Sequence, residues 1–519
     1  MKLNYKRTIL VGFAFFLISA FWQAYDATIP VTLINKFGMS QTLSGVFMAL
    51  DNILAVFMLP LFGSLSDKCL GNRFGKRTPF ITIGTTIAAI ALVALSFVDH
   101  AQLQNISAVS EIDSPAALET IYDAHCQTKL QTPEGEKFVL EDLYTREEFA
   151  QITCKVKDAE TGKDVTNPDY TNYVAPARQA YASDVTAKNP TPLILFVVLL
   201  LVVLVAMSTF RSPAVALMPD VTIKPLRSKA NAVINLMGTA GGILVLVLGM
   251  VFATSAVQNA MMSYTTYYLV IAGIMLVALA IFLLTVREPA WSKEMQTNSI
   301  ALGIEEEEAE DSAQKRKLSS GEKRSLILIL LSIALWYFGY NAVTSKYAVY
   351  ATNILAKDYN TTMLLAQAAA VVAYLPAGMV ASKIGRRKTI LIGVALLTAA
   401  FGTASFMRSD SPTWFMNALF ILAGVAWATI NVNSFPMVVE LCSGGDIGKY
   451  TGYYYTASMA AQIATPVLSG YLMDNIAETV LFPYAAVTVG LAIVTMFFVK
   501  HGDAKVQAAK GLEALSVED

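Results

Sequence analysis

Twelve apolar runs dominate this chain, at about 8–35, 41–66, 77–98, 191–219, 230–256, 264–286, 325–353, 361–382, 388–407, 412–439, 449–473 and 480–499. Each is close to or above the roughly 20 residues that a helix needs to cross a bilayer. Backbone N–H and C=O groups in hydrocarbon have no water to bond, so an isolated run of this kind can only be a helix. Only 15% of the 519 residues are charged, against about 25% in a soluble domain. The first run follows the basic stretch Met1–Arg7 but is too long for the apolar core of a signal peptide, so it reads as the first membrane helix. The expected fold class is an all-α membrane protein of twelve transmembrane helices.

Lys and Arg sort onto one side of such a bundle. Lys2, Lys6 and Arg7, the bases of the 67–77 turn, Lys224, Arg227 and Lys229, the run 315–317, the run 383–388 and Lys500 all fall on one side if the helices alternate. Short loops rich in Lys and Arg stay cytoplasmic. The chain is therefore expected to be a multi-pass cell-membrane protein with both termini in the cytoplasm.

The turn GSLSDKCLGNRFGKRTPF (Gly63–Phe80) recurs in shorter form as GMVASKIGRRK (Gly378–Lys388), about 315 residues on. The acidic end of the fourth run, PAVALMPD (Pro213–Asp220), recurs in the tenth as FPMVVE, ending at Glu440, about 220 residues on. The difference, about 95, is the length of a polar segment in the first half. The expected plan is a six-helix bundle from 1–98 and 191–286, interrupted by an extracytoplasmic insert at 99–190. A cytoplasmic linker at 287–324, a second six-helix bundle at 325–501 and a tail at 502–519 complete it. Two homologous halves with a site between them is a transporter architecture. Between Asp99 and Asn189 there are 16 acidic and eight basic residues. Cys126 and Cys154 lie in this segment, where an oxidising exterior would permit a disulfide. The linker carries an acidic run, Glu305–Glu308, and reads as a solvated connection.

Charges inside the runs carry the functional signal, because each costs roughly 2.5–3.5 kcal/mol at the bilayer centre on insertion scales. Asp26, Asp51, Arg211 and Lys346 are the four. Two acids against two bases suit a coupling-ion site in which an acid takes a proton or cation and a base alternates as its partner. Structural salt bridges between helices are the competing reading. Trp22, Gln23, Tyr340, Asn341, Asn431 and Gln462 add amides and aromatic faces to the same helices, a mixture that suits a polyhydroxylated solute. GTAGG (Gly238–Gly242) reads as a close helix contact. Gly71–Thr78 has one residue too few between its glycines for a phosphate loop and no Ser or Thr directly after Lys76. HExxH, GxSxG and metal-spaced cysteines are missing from the sequence. No enzyme activity, cofactor, metal or nucleic-acid partner is expected.

The Gly63–Phe80 turn resembles the loop between helices 2 and 3 of the major facilitator superfamily. Its lengthened form, SD then Cys then RFGKRTPF, is similar to that of the sucrose/proton symporters. Arg211–Gly238 resembles the glycoside–pentoside–hexuronide:cation symporters. The resemblance covers the twelve runs but not the insert. It implies a two-bundle fold and a cytoplasmic gate made from Asp67, Arg73, Lys76 and Arg77 with Asp220, and from Arg386 and Arg387 with Glu440. It also implies cation-coupled symport, H⁺ first among the cations, of a sugar or glycoside by a monomer. Transport or export of another small organic solute is the alternative, and a non-transporting receptor or scaffold is a different class. Two departures stand out. Val215 replaces an arginine usual before the helix 4 acid, with Arg211 one turn earlier, and Ser382 stands where the first half has Asp67.

Overall fold

The computed structural model of the chain describes residues 3–69, 73–157, 162, 164–223, 226–301, 318–441 and 447–502. Parts of the expected linker and tail, the acidic run 305–308 and Cys442 lie outside the described residues. Twelve long helices follow the twelve runs. They are α1 (Tyr5–Val31, continued by a π turn Thr32–Lys36), α2 (Gln41–Lys68), α3 (Thr78–Asn105), α4 (Thr191–Val221), α5 (Arg227–Val251) and α6 (Thr265–Thr285). The second set is α7 (Ser320–Val349, continued by a π turn Tyr350–Ile354), α8 (Tyr359–Ile384), α9 (Arg386–Ala404), α10 (Thr413–Val439), α11 (Ile447–Asn475) and α12 (Leu481–Phe497). Among the described residues, eleven helical segments, α11 not among them, are long and apolar enough to cross a membrane. The exception is the tyrosine-rich α11, 29 residues long.

Each half has its own apolar core. Leu17, Phe21, Leu92, Phe210 and Met275 lie in the first, and Ile333, Trp336, Leu397, Phe420 and Phe482 in the second. The second core also takes in Ala27, Val31, Ile34 and Leu246 from the first half, so the halves share apolar packing near the ends of α1 and α5 that face the insert. Within the first half, α1 and α5 touch closely. A Cβ on Gly241 would stand 2.5 Å from the Phe16 carbonyl oxygen, which is the packing role that GTAGG suggested.

The inserted segment is a small packed unit rather than a plain loop. It holds the helices Ser107–Ser110, Pro115–His125, Arg146–Phe149 and Ala175–Lys188, with two hairpins, β1 (Leu130–Gln131) with β2 (Lys137–Phe138) and β3 (Lys155–Lys157) with β4 (Asp164–Thr166). Ile106, Leu118, Ile121, Phe149 and Val174 form its core, closed by Val257 and Met261 from the α5–α6 loop. The boundary at residue 98 falls short, since α3 runs on to Asn105 without a break. The expected disulfide is not present. Cys126 and Cys154 are free thiols, and the Cys154 S–H donates to Asp113 Oδ2 at 3.2 Å while its N–H donates to Oδ1 at 2.7 Å. Burial, with Asp113 beside it, pushes that thiol up to about 12. The carboxylate supplies what the sulfur needs, so the segment is held by its core without a covalent tie. Beyond α6, Glu288–Ala301 forms a helix at the start of the linker.

Candidate functional site

Asp26 lies ten residues before the end of the π turn that finishes α1, and Asp51 ten residues after the start of α2. At 1.5 Å per residue both are about 15 Å deep from the insert end. Asp51 interacts electrostatically with Asp26 and Arg211, and both acids act on Tyr25. The Arg211 guanidinium lies 6.0 Å from the centre of the Trp22 ring, one turn along α1 from Asp26. Asp51 also accepts from Asn52 Nδ2 at 2.8 Å. Asp26, Asp51, Arg211 and Trp22 therefore form one cluster, and each keeps part of its surface accessible at that depth. Trp22 Nε1 and the Tyr25 hydroxyl are buried without a protein partner. Buried polar atoms are nearly always bonded, so orphans beside charges mark a place for water or solute.

In the second half, Tyr340 stacks on Trp427 with ring centres 3.6 Å apart and planes 6° from parallel, and Tyr337 meets the same indole edge-on. Asn341, next along α7, has a buried Nδ2 without a partner. Asn431 lies one turn beyond Trp427 on α10, and Gln462 lies in α11; both are half-buried. Gln23 stands between the halves. Its Nε2 donates to the Tyr359 hydroxyl at 3.1 Å, and its Oε1 accepts from Gln367 Nε2 at 2.6 Å. It is engaged in joining α1 to α8 rather than left free.

Above Gln23 the halves are joined at the insert end. Asn35 and Asn353, in the equivalent π turns of α1 and α7, exchange reciprocal amide bonds of 3.1 and 2.6 Å. Asn360 Nδ2 donates to Thr254 and Ser255 at 3.0 and 2.9 Å. Asp474, at the end of α11, accepts the N–H groups of Gln41 and Thr42 at 2.7 Å each and also the Thr42 hydroxyl. A carboxylate from one half thus caps the N-terminus of a helix in the other, where unpaired N–H groups and the helix dipole favour it. The helices can approach because a Cβ at Gly45 would lie 2.0 Å from the Pro466 oxygen, and one at Gly470 2.3 Å from that of Gln41. Lys346 belongs here and not with the two midplane acids. Its ammonium is fully buried, donates to the Gln41 carbonyl and faces Asp474 and Glu478.

At the opposite, basic end the ion pairs among the described residues stay within each half. Arg77 donates to Asp67 at 2.5 Å, to Asp220 at 2.8 Å and to the Ser66 hydroxyl, tying α3 to α2 and α4. Arg386 pairs with Glu440, tying α9 to α10 in the equivalent place. Arg387 instead reaches the carbonyls of Met496 and Phe497. Arg73 lies over the Phe74 ring at 4.7 Å, and Lys76 contributes its N–H to a group that sequence reasoning missed. That group is Glu288, which accepts from the N–H of Lys76 and Arg77 at 2.6 and 2.8 Å, and from the N–H and hydroxyl of Thr78 at 2.8 and 2.7 Å. The FGK turn is built around it. Gly75 has φ +116°, and a Cβ there would stand 2.2 Å from the Glu288 carboxyl carbon.

A second missed pair is Lys36 with Asp99, 2.5 Å apart and shielded from solvent, with the ammonium also bonded to the Met262 carbonyl at 2.7 Å and 4.1 Å from the centre of the Tyr264 ring. Asp99 sits at the edge of a polar stretch, which hid it. Its position within one turn of an apolar run was the only available signal.

A family model, Major Facilitator Superfamily, matches residues 326–518. The MFS-type transporter ppzB of Metarhizium rileyi is 28% identical over 140 residues, which are 27% of this chain and 28% of that protein. The match thus spans under a third of the relative's length. Among solved structures, the xylose transporter XylE from E. coli in an inward open conformation superposes with a TM-score of 0.58 at 16% identity, covering 99% of each chain. The nucleoside transporter NupG gives 0.55 at 14%, over 95% of this chain and 100% of that one. A bacterial homologue of the iron transporter ferroportin gives 0.57 at 11%, over 96% and 99%. At these identities the likeness is one of fold. Over its whole length the chain thus shares the fold of these transporters, and residues 326–518 match the Major Facilitator Superfamily model in sequence.

Proposed function

We propose that the chain is a secondary transporter that carries a sugar or glycoside together with a cation, H⁺ in the first instance, by alternating access. One observation carries the reading. Two carboxyl groups, a guanidinium and orphaned polar atoms share an accessible place deep in the membrane-spanning helices, beneath a seal between the halves. A carboxylate about 15 Å from the nearer helix ends is costly unless it exchanges a cation or finds a base, and Asp51 has Arg211 for the second. Proton uptake by Asp51 would end its attraction for Arg211, and the Tyr340–Trp427 stack would offer an apolar ring face to a solute. A D-xylose-proton symporter shares this fold, at 15% identity and a TM-score of 0.57, so the fold is compatible with the reading. With the basic loops on the cytoplasmic side, the insert end, where contacts join the halves, would face outward in this reading.

Purified full-length protein in liposomes tests the proposal. Acidifying the outside should drive accumulation of one member of a panel of labelled mono- and disaccharides above its equilibrium level, abolished by a protonophore. Absence of accumulation and of counterflow for every sugar, with ordered incorporation, would overturn it.

A further inference from the structure

The insert is rooted on the first half but its tip lies on the second. Its root is firm. Gln102 donates to the Lys36 carbonyl at 2.8 Å and to Thr186 at 3.0 Å, and Gln179 donates to the Met39 carbonyl at 2.9 Å. The β1–β2 hairpin then projects over the α11–α12 loop. Thr479 N–H donates to the Pro133 carbonyl at 3.1 Å, and Gln131 Nε2 to the Ile476 carbonyl at 3.1 Å. Glu134 pairs with Arg408 of the α9–α10 loop at 2.8 Å. Arg408 is pre-set for this contact because its Nη1 is held by the carbonyls of Ser405 and Met407. The tip is shaped for the contact. Gly135 has φ +94°, and a Cβ there would stand 2.4 Å from the Ile476 oxygen.

The same corner presents Asp474, at the end of α11, and Glu478, in the α11–α12 loop, which hold the start of α2. We propose that the hairpin is a strap across the outer seal, which adds to the closed state a set of contacts that must break before the outer ends of the halves separate. The strap sets the balance between inward- and outward-facing states, because contacts made in only one state shift the equilibrium by their own worth. The proposal rests on the alternating-access reading, and its test is independent of whether any sugar is carried.

Spin labels at Leu43 of α2 and Tyr471 of α11, both exposed near the insert end, report the separation by pulsed electron–electron resonance in the full chain, with the native cysteines replaced, in nanodiscs. The parent should show one dominant short distance. Glu134→Arg and Arg408→Glu should each raise the ratio of separated to closed molecules about two- to five-fold, the range of an exposed ion pair. The double charge reversal should restore it, which a folding defect would not do. Gly135→Val should lift the whole tip and give the largest separated fraction. Unchanged distances in Gly135→Val and in both single reversals would overturn the strap. A shift without sugar uptake would leave the strap standing and count against the transport reading alone.

Discussion

Asp99→Ala is expected to be among the most damaging single changes in the first half, although the residue touches no solute. Lys36 and Asp99 have side-chain exposures of 0% and 1%, so no solvent screening discounts their interaction. Truncating the acid leaves an ammonium with one carbonyl, that of Met262, and one aromatic face, and it orphans the Tyr264 N–H that Asp99 accepts at 3.2 Å. Breaking a buried pair from one side costs about 3–5 kcal/mol. At roughly 2–4 °C per kcal/mol in domains of 150–250 residues, the melting temperature should fall by about 6–20 °C. Differential scanning fluorimetry in detergent, with fluorescence-detected gel filtration as a check, measures it. Removing both charges in Lys36→Met with Asp99→Leu should recover more than half of the loss, because apolar pairs replace buried ion pairs at little cost. A shift under 2 °C for Asp99→Ala, or a double variant as unstable as the sum of the singles, would refute the reasoning.

Asp474→Ala removes the cap that α11 places on α2, worth about 0.5–2 kcal/mol, and should speed modification, from the insert side, of a cysteine placed at Gly242, which stands beside Gln23 and Gln367. His125 responds to pH. Burial lowers its imidazole below the ordinary 6.5, with Asp184 opposing and Lys188 adding to the effect. The folded chain therefore refuses a proton that the unfolded chain accepts, so thermal stability should fall as pH drops below 6.5 and stay level above it, and His125→Gln should flatten that slope. With Cys154 pushed up to about 12 by burial, iodoacetamide at pH 8 without reductant should alkylate Cys126 and spare Cys154; mass spectrometry that found the two joined would contradict the structure.

The membrane architecture was legible because it depends on composition over about 20 residues at a time, which tertiary context cannot override. The repeat was legible for the same reason, and its two arginine–acid pairs, Arg77 with Asp220 and Arg386 with Glu440, meet as the matching turns implied. Side-chain partners were legible only where the surroundings leave no choice. Asp26, Asp51, Arg211 and Trp22 converge because charges in apolar helices have few places to go. Lys346, grouped with those acids as a charge inside a run, lies near a helix end where a lysine can turn either way, and it meets Gln41, Asp474 and Glu478. Asp474, Glu288 and Asp99 looked like loop charges. Their roles come from helix ends brought to them by tertiary packing, which a single chain read in order does not reveal. The expected disulfide failed on the same ground, because cysteine spacing carries no information about the carboxylate, Asp113, that occupies Cys154.

The central claim is that a carboxyl group held about 15 Å deep between two halves couples a cation gradient to solute movement. Asp51→Asn keeps the shape of the side chain and its place beside Arg211 but cannot take up and release a proton. In liposomes, the account predicts that this variant loses gradient-driven accumulation while retaining measurable solute exchange with no gradient imposed. Accumulation at the parent level in Asp51→Asn would contradict it.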